Sequence, residues 1–122
     1  MLNQVVLVGR LVDEPTIVKE NKKEKCIITL AVQRIIENEK GEYETDNIPC
    51  VLWNGIATNT TKYCHKGDII GVKGRIQRMG NDYTANGHPI LEIIAEKVTF
   101  LSSKKPEVKK EDENSTIACM DE

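Results

Sequence analysis

Short apolar runs, separated by polar or glycine-containing segments, occupy the first hundred residues of the chain. Gln4–Leu11 is a run of Val and Leu that stops at Asp-Glu-Pro, and its length and β-branching favour a strand. Lys25–Ile36 alternates in part, which predicts a second strand with one well-buried face. The polar segment Asn21–Glu24 between them predicts a solvated turn.

The next segments are a charged hairpin loop at Glu37–Tyr43 and a third predicted strand at Thr45–Trp53. After this strand, the spacing of apolar residues changes from that of a strand to that of a helix. Within Gly55–His65, residues fall near helical spacing, which predicts a short helix with Gly67 placed to cap its C-terminus. The residues at this spacing are Ile56, Thr60, Tyr63 and Cys64.

Two further strands are predicted at Ile69–Gln77 and Ile90–Leu101, with a loop at Asn81–His88 between them. Gly71 and Gly74 lie inside the first of these strands, as expected where a strand bends sharply at a barrel corner. Three strands, a short helix and two strands are the order of an oligonucleotide/oligosaccharide-binding (OB) barrel. We therefore expect an all-β, five-stranded OB-fold barrel with one helix between its third and fourth strands.

Composition divides the chain into a domain and a tail. Residues 1–103 have the apolar content of one barrel, whereas residues 104–122 are rich in Lys, Glu and Ser and predict a disordered acidic tail. The formal net charge is −2. Residues 1–105 carry 15 Lys/Arg and 13 Asp/Glu, and residues 106–122 carry 2 and 6. The body is only weakly basic, so any binding of phosphates depends on where its cations lie.

No residue pattern indicates catalysis, a metal site or a cofactor. The four cysteines, Cys26, Cys50, Cys64 and Cys119, are widely spaced and are interpreted as core fillers. No His, Cys or Ser stands in a recognisable nucleophile arrangement, which favours a binding module over an enzyme. The N-terminus lacks the features of a signal peptide, and no apolar run is long enough to span a membrane, so a cytoplasmic protein is expected.

Several motifs occur in one order over about four-fifths of the chain. They are N-x-V-x-L-V-G-R-L at residues 3–11, I-T-L-A-V-x-R at 28–34, C-V-x-W at 50–53, K-G-D at 66–68 and G-R-I-Q at 74–77. In this order the chain resembles the bacterial single-stranded DNA-binding proteins, particularly those of low-GC Gram-positive bacteria. The resemblance implies an OB barrel, usually a homotetramer, over which single-stranded DNA passes on aromatic faces and a basic groove.

Candidate nucleic-acid-binding residues follow from this resemblance and from neighbouring charges. Arg10, Arg34, Trp53 and Arg75 match basic or aromatic family positions, and Lys73, Arg78 and Tyr83 lie close to the predicted groove. At three positions where the family stacks bases this chain has Ile36, Asn47 and Asn81. Tyr43 and Tyr83 are either replacements for these aromatics or exposed loop tyrosines. Trp53 is either a stacking platform or a partly buried structural residue, and Tyr63 and Phe100 are expected in the core.

Two functions remain open at this point. The first is sequence-nonspecific binding of single-stranded DNA in replication, recombination and repair, by a homotetramer or another homo-oligomer. The alternative is an OB-fold protein-interaction module of the primosome-accessory kind with weakened nucleic-acid binding. The family also recruits replication and repair proteins through an acidic tail that ends in Ile-Pro-Phe, whereas Ile117–Glu122 is acidic and partly apolar without Pro or Phe.

Overall fold

The computed structural model describes residues 1–103, which form six strands and one helix. The elements are β1 (Val5–Leu11), β2 (Val18–Glu20), β3 (Lys23–Glu37), β4 (Tyr43–Trp53), α1 (Asn54–Tyr63), β5 (Ile69–Tyr83) and β6 (Pro89–Ser102). Their order in the sheet is β1-β5-β6-β4-β3-β2, and β1 also pairs with β3. This last pairing closes five strands into a barrel, so the predicted OB-fold class is confirmed, with the helix between β4 and β5. The predicted acidic tail and Cys119 lie outside the described residues.

Alternating side chains of the strands fill the barrel. In β3, Cys26, Ile28 and Leu30 are buried, whereas Ile27 between them is 57% exposed. Because successive side chains of a strand point to opposite sides, this alternation assigns one side of β3 to the interior. The interior cluster also takes residues from the other strands and the helix, namely Leu11, Cys50, Leu52, Ala57, Cys64, Ile70, Val72 and Ala95.

Three cysteines behave as the sequence predicts. Cys26, Cys50 and Cys64 are buried and free. Burial raises the pKa of Cys50 and of Cys64 to about 11. These thiols therefore stay protonated at neutral pH and pack as small apolar groups.

Gly74 permits a bend in the barrel wall. The pairing of β5 with β6 shifts its register between Lys73 and Gly74, which marks a β-bulge. A Cβ atom at residue 74 would overlap the backbone carbonyl of Ile94, so only glycine allows the two strands to approach this closely. The predicted bend is therefore confirmed at Gly74.

A four-residue turn, His65 to Asp68, connects the helix to β5 and is hydrogen-bonded to the end of β1. The amide of Asp68 donates to His65 O (3.0 Å), and Gly67 has a φ of +93° within the turn. The amide of Gly67 donates to Leu11 O (2.9 Å) and that of Leu11 to Asp68 O (2.8 Å). Arg10 adds a hydrogen bond from Nη1 to Gly67 O (2.7 Å). Through these hydrogen bonds, the K-G-D motif fixes the position of the end of β1.

This turn corrects one expectation about the helix. The helix ends at Tyr63, and its C-cap residue Cys64 is extended, with a φ of −113°. Gly67 therefore does not cap the helix, because it lies in the following turn, where its positive φ is needed. Tyr63 was expected in the core but is 62% exposed, since the buried side of α1 is formed by Ala57 and Thr60. Phe100 packs against the core as predicted.

The strands are also longer and more numerous than predicted. Asn21 and Lys22, with φ values of +52° and +66°, form a two-residue hairpin turn between β2 and β3. A turn is thus present within the predicted segment Asn21–Glu24, but strand β2 before it was missed, because its three residues are exposed and show no apolar period. β5 continues to Tyr83, into the segment predicted as a loop. No helix of the described residues is long and apolar enough to cross a membrane.

Replacing Gly74 by alanine should destabilise the barrel, because the added methyl group meets the Ile94 carbonyl. We expect a loss of about 1–3 kcal/mol in the free energy of unfolding, measured by urea denaturation. Gly71→Ala is the matched control, since its Cβ would have Leu101 Cδ1 as nearest neighbour at 3.7 Å, an ordinary contact. Equal effects of the two substitutions would contradict the bend at Gly74.

The ion pair between His65 and Glu14 predicts a stability that depends on pH. His65 Nδ1 lies 2.8 Å from Glu14 Oε2, and this hydrogen bond raises the pKa of His65 above 6.5. The amide of Lys66 and then His65 lower the pKa of Glu14 below 4.5. Protonated His65 contributes stability in full below pH 6.5, which is lost as the pH rises through its folded pKa. Ionised Glu14 contributes above pH 4.5, which is lost as the pH falls.

His65→Gln should therefore lower the melting temperature most between the two ordinary pKa values, near about pH 5.5. The difference from the wild type should shrink at about pH 8 and again at about pH 3, as one partner loses its charge. Thermal unfolding across this pH range is the measurement, with His88→Gln as control for the loss of a histidine. A difference that is constant with pH would show that the ion pair does not contribute.

Candidate nucleic-acid interface

A row of outward-pointing residues crosses four strands of the barrel. Ile27 of β3 lies opposite Val51 of β4, Val51 opposite Ile94 of β6, and Ile94 opposite Arg75 of β5. Val51 and Ile94 are buried, with 4% and 5% of their surface exposed, yet neither belongs to the interior cluster, so they form an apolar floor beneath the outer side. Ile27 and Arg75 remain accessible at the two ends of this floor.

Trp53 stands beside this floor, two residues beyond Val51 on β4. Because every second residue of a strand points to the same side, Trp53 shares the outer side with Val51. Lys25 is its register partner on β3, and Lys25 Nζ lies 5.1 Å from the centre of the indole ring. We call the outward surface formed by Lys25, Ile27, Val51, Trp53, Arg75 and Ile94 the Trp53 face.

The position of Trp53 bears on its two possible roles. The residue is half-buried and belongs neither to the interior cluster nor to the residues packed against it. Lys25 covers one part of the ring and also pairs with Glu20 (3.5 Å), which leaves a cation beside an aromatic surface. A base that stacks on the ring would have its phosphate close to this ammonium group. Sequence reasoning missed Lys25, because its contact with Trp53 follows only from the strand register.

Arg75 closes the opposite side of the Trp53 face. Its Nη1 donates to Glu96 Oε2 (3.1 Å) and its Nη2 donates to Gln77 Oε1 (3.2 Å). Two positions along β5, Lys73 is exposed and lies directly opposite Lys97 of β6. Lys97 and Glu96 were not predicted as parts of the site, although both follow the bulge at Gly74.

Arg34 points to the other side of the β3–β4 ladder from the Trp53 face. It is one residue beyond Gln33, whose register partner is Thr45. Its Nε and Nη2 donate to the two carboxylate oxygens of Asp46, both at 2.9 Å, and its Nη1 donates to Glu44 Oε1 (2.9 Å). These hydrogen bonds raise the pKa of Arg34 and lower that of Asp46. The guanidinium is therefore engaged by two carboxylates.

Arg78 and Tyr83 belong to the β5–β6 hairpin. Arg78 Nε donates to Gly80 O (2.8 Å), Nη1 to Tyr83 Oη (3.2 Å) and Nη2 to Asn81 Oδ1 (3.4 Å). No carboxylate of residues 1–103 pairs with this arginine, so its charge remains available at the hairpin. Tyr83 is 52% exposed.

Two of the positions that lack the family's aromatics lie at identifiable places on the barrel. Asn47 lies opposite Ala31 of β3, and Ala31 in turn pairs with Arg10 of β1, so these three residues form another outward row. Asn47 is on the same side of β4 as Trp53. Ile36 is 76% exposed at the far end of β3, where the register shifts between Gln33 and Glu37.

The alternative of a metal site finds no support in the described residues. No group of three or more His, Cys, Asp or Glu side chains in residues 1–103 is arranged to hold a metal ion. The Trp53 face instead combines a half-buried aromatic ring, an apolar floor and cations at both sides, the features of a surface on which bases stack while the backbone meets positive charge. The fold and this face define an OB-fold binding module.

Comparison with known proteins gives the family. The model of the single-strand binding protein family matches residues 2–101, and the chain belongs to this family. It is 37% identical over 110 residues to single-stranded DNA-binding protein 1 of Clostridium acetobutylicum, covering 88% of this chain and 100% of the relative. It is 40% identical over 110 residues to single-stranded DNA-binding protein B of Bacillus subtilis, covering 88% and 96%.

Solved structures show the same fold. The Plasmodium falciparum SSB complex with ssDNA matches with a TM-score of 0.68 and 25% identity, over 84% of this chain and 96% of that chain. The small single-stranded DNA-binding protein from Streptomyces coelicolor matches with a TM-score of 0.62 and 17% identity, over 82% and 94%. The expected resemblance to family members of low-GC Gram-positive bacteria is confirmed.

Trp53→Ala should cost less stability than the loss of a core aromatic side chain, because the ring lies on the outer side of β4. Truncating a large buried aromatic side chain to alanine typically lowers the free energy of unfolding by about 3–5 kcal/mol. For Trp53→Ala we expect a loss of less than about 2 kcal/mol. Leu52→Ala is the matched control, since Leu52 is fully buried and should cost about 2–5 kcal/mol. The measurement is urea denaturation of both variants. If Trp53→Ala lowered the free energy of unfolding as much as Leu52→Ala, the indole ring would be a structural residue.

Proposed function

We propose that the protein binds single-stranded DNA without sequence preference and protects exposed strands during replication, recombination and repair in the cytoplasm. The observation that carries the proposal is Trp53 on an outward apolar face between Lys25 and Arg75. The names of the Clostridium and Bacillus relatives support the same activity. The protein acts as a binding module, without catalytic chemistry of its own.

The physical basis of this selectivity is base stacking. Each base has an aromatic face, and stacking on a protein aromatic contributes about 1–3 kcal/mol per base without reading sequence. Paired bases in a duplex bury these faces against one another, so only unpaired strands can use Trp53. Arg75 and Lys73 on β5, with Lys25 on β3, provide the positive charge for phosphates, and Arg10, Arg78 and Tyr83 extend this surface. Arg34 lies on the other side of the β3–β4 ladder, where Asp46 and Glu44 engage it.

Self-association belongs to the same proposal. Val5–Gly9 of β1 pair with β5 on one side, and within residues 1–103 the other edge of β1 is paired only at Arg10 and Leu11. Val6 and Val8 are 65% and 54% exposed next to this edge. Open strand edges and exposed apolar side chains are typical of surfaces that a second copy covers, which supports a homotetramer or another homo-oligomer.

One observation favours the alternative function, a protein-interaction module with weak nucleic-acid binding. The three stacking positions of the family carry Ile36, Asn47 and Asn81, and residues 1–103 hold 13 Lys/Arg and 13 Asp/Glu, with no net charge. Recruitment of replication and repair proteins, including recruitment through the acidic tail, is part of either function. Binding measurements with the whole chain distinguish the two.

We expect a labelled oligo-dT strand to bind at least about tenfold more tightly than duplex DNA of the same length, because only the single strand offers base faces. Fluorescence anisotropy at about 50 and 200 mM salt is the measurement, and affinity should fall as salt rises, as counterion release requires. Trp53→Ala should weaken binding at least about fivefold. Tyr63→Ala, which removes an exposed aromatic outside the Trp53 face, is the control and should leave affinity unchanged.

Equal affinity for single-stranded and duplex DNA would remove the proposed function. If neither form bound measurably at low salt, the protein-interaction function would be the better account. An equal loss for Trp53→Ala and Tyr63→Ala would contradict the placement of the binding surface on the Trp53 face.

A further inference from the structure

Some of the cations predicted for nucleic-acid binding are already engaged by carboxylates of the same chain. Residues 1–103 contain five ion pairs, and four of them use Lys25, Arg34 or Arg75, of which Lys25 and Arg75 belong to the Trp53 face. These four are Lys25–Glu20 (3.5 Å), Arg34–Glu44 (2.9 Å), Arg34–Asp46 (2.9 Å) and Arg75–Glu96 (3.1 Å). At the Trp53 face, incoming phosphates therefore meet Lys25 and Arg75, which already have anionic partners.

The pair at Arg75 lies directly on the Trp53 face. Arg75 and Glu96 have side chains that are 42% and 46% exposed, so solvent and a strand of DNA both reach them. Glu96 takes one terminal nitrogen of the guanidinium and Gln77 takes the other. Phosphate and carboxylate oxygens are recognised by the same N–H groups of arginine. A phosphate that approaches Nη1 of Arg75 therefore competes with Glu96 for the same side of the guanidinium.

We propose that Glu96 is an internal competitor of DNA phosphate at Arg75, so that strand binding at the Trp53 face exchanges one anionic partner for another. The inference rests on the proposed function and concerns its regulation. Breaking an exposed ion pair is inexpensive, which allows the exchange to occur at ordinary temperature. The Arg75–Glu96 ion pair nevertheless opposes DNA binding. When no strand is bound, the same ion pair holds Arg75 beside the apolar floor.

The exchange also changes the dependence on salt. A phosphate neutralised by a protein cation releases condensed counterions, which gives a slope of about −0.7 in log K against log salt for each contact with a single strand. When Glu96 is displaced, its free carboxylate attracts a cation from solution, which offsets part of this release. Affinity should therefore depend less steeply on salt than the number of cations suggests.

Glu96→Gln tests the inference, because it releases Arg75 without changing the size of the side chain. With labelled oligo-dT at about 50 mM salt we expect the variant to bind about two- to fivefold more tightly than the wild type, the range for an exposed ion pair. Its salt slope should be steeper than that of the wild type, by up to about 0.7. Thermal unfolding checks that both proteins are equally folded.

Glu92→Gln is the matched control. Glu92 lies on the same side of β6 as Ile94, four residues before Glu96, and its contact is with Gln77 Nε2 (3.5 Å), not with a cation. The Glu92→Gln substitution removes the same charge as Glu96→Gln, and it should change the affinity for oligo-dT clearly less. In an Arg75→Gln background, Glu96→Gln should give no more than this general charge effect, because no arginine is left to release.

The outcomes separate the inference from the function beneath it. Wild-type protein that binds oligo-dT, with equal gains from Glu96→Gln and Glu92→Gln, would overturn the inference and leave the function standing. The same holds if the gain persists in full without Arg75. A wild-type protein and a Glu96→Gln variant that both fail to bind oligo-dT would remove the function and the inference together.

Discussion

Closure of the barrel depends on a short stretch of pairing between β1 and β3. Within residues 1–103 the register pairs of these strands are Arg10 with Ala31 and Leu11 with Leu30, and the amide of Val12 donates to Thr29 O (3.0 Å) just beyond them, so the connection is short. The turn after the helix supports this connection through reciprocal backbone hydrogen bonds between Leu11 and residues Gly67 and Asp68. Because β3 forms one wall of the Trp53 face, the same closure fixes the curvature on which the binding surface lies.

Much of the fold could be predicted from the sequence, because the strands bury one side and alternate. The period of two in Lys25–Ile36 and the β-branched run in Gln4–Leu11 carry this information locally. The hairpin of β2 and the outer part of β5 could not be predicted in this way, since their side chains are exposed and show no apolar period. There the backbone pairing alone maintains the strand, and a polar sequence permits either a strand or a loop.

The candidate site was predictable to a smaller extent. Trp53 and Arg75 could be chosen by resemblance, but their common side of the barrel follows from the β4–β6 pairing, which joins residues far apart in sequence. The carboxylate partners of Arg34 could have been predicted from the register of β3 with β4. Continuing the register of Gln33 with Thr45 brings Arg34 opposite Glu44. Glu96 could not have been predicted in this way, since its contact with Arg75 depends on the bulge that Gly74 allows.

An electrically balanced barrel gains little from long-range attraction to DNA, because attraction over distances beyond about 8–10 Å follows net charge and is screened by salt. What remains are short-range contacts, in which stacking distinguishes unpaired from paired bases and Arg75 must exchange Glu96 for a phosphate. Duplex DNA offers phosphates without free base faces, so it meets the cost of this exchange without the gain from stacking. Pairing the cations with carboxylates therefore weakens binding to every nucleic acid while it makes the preference for single strands depend more strongly on Trp53.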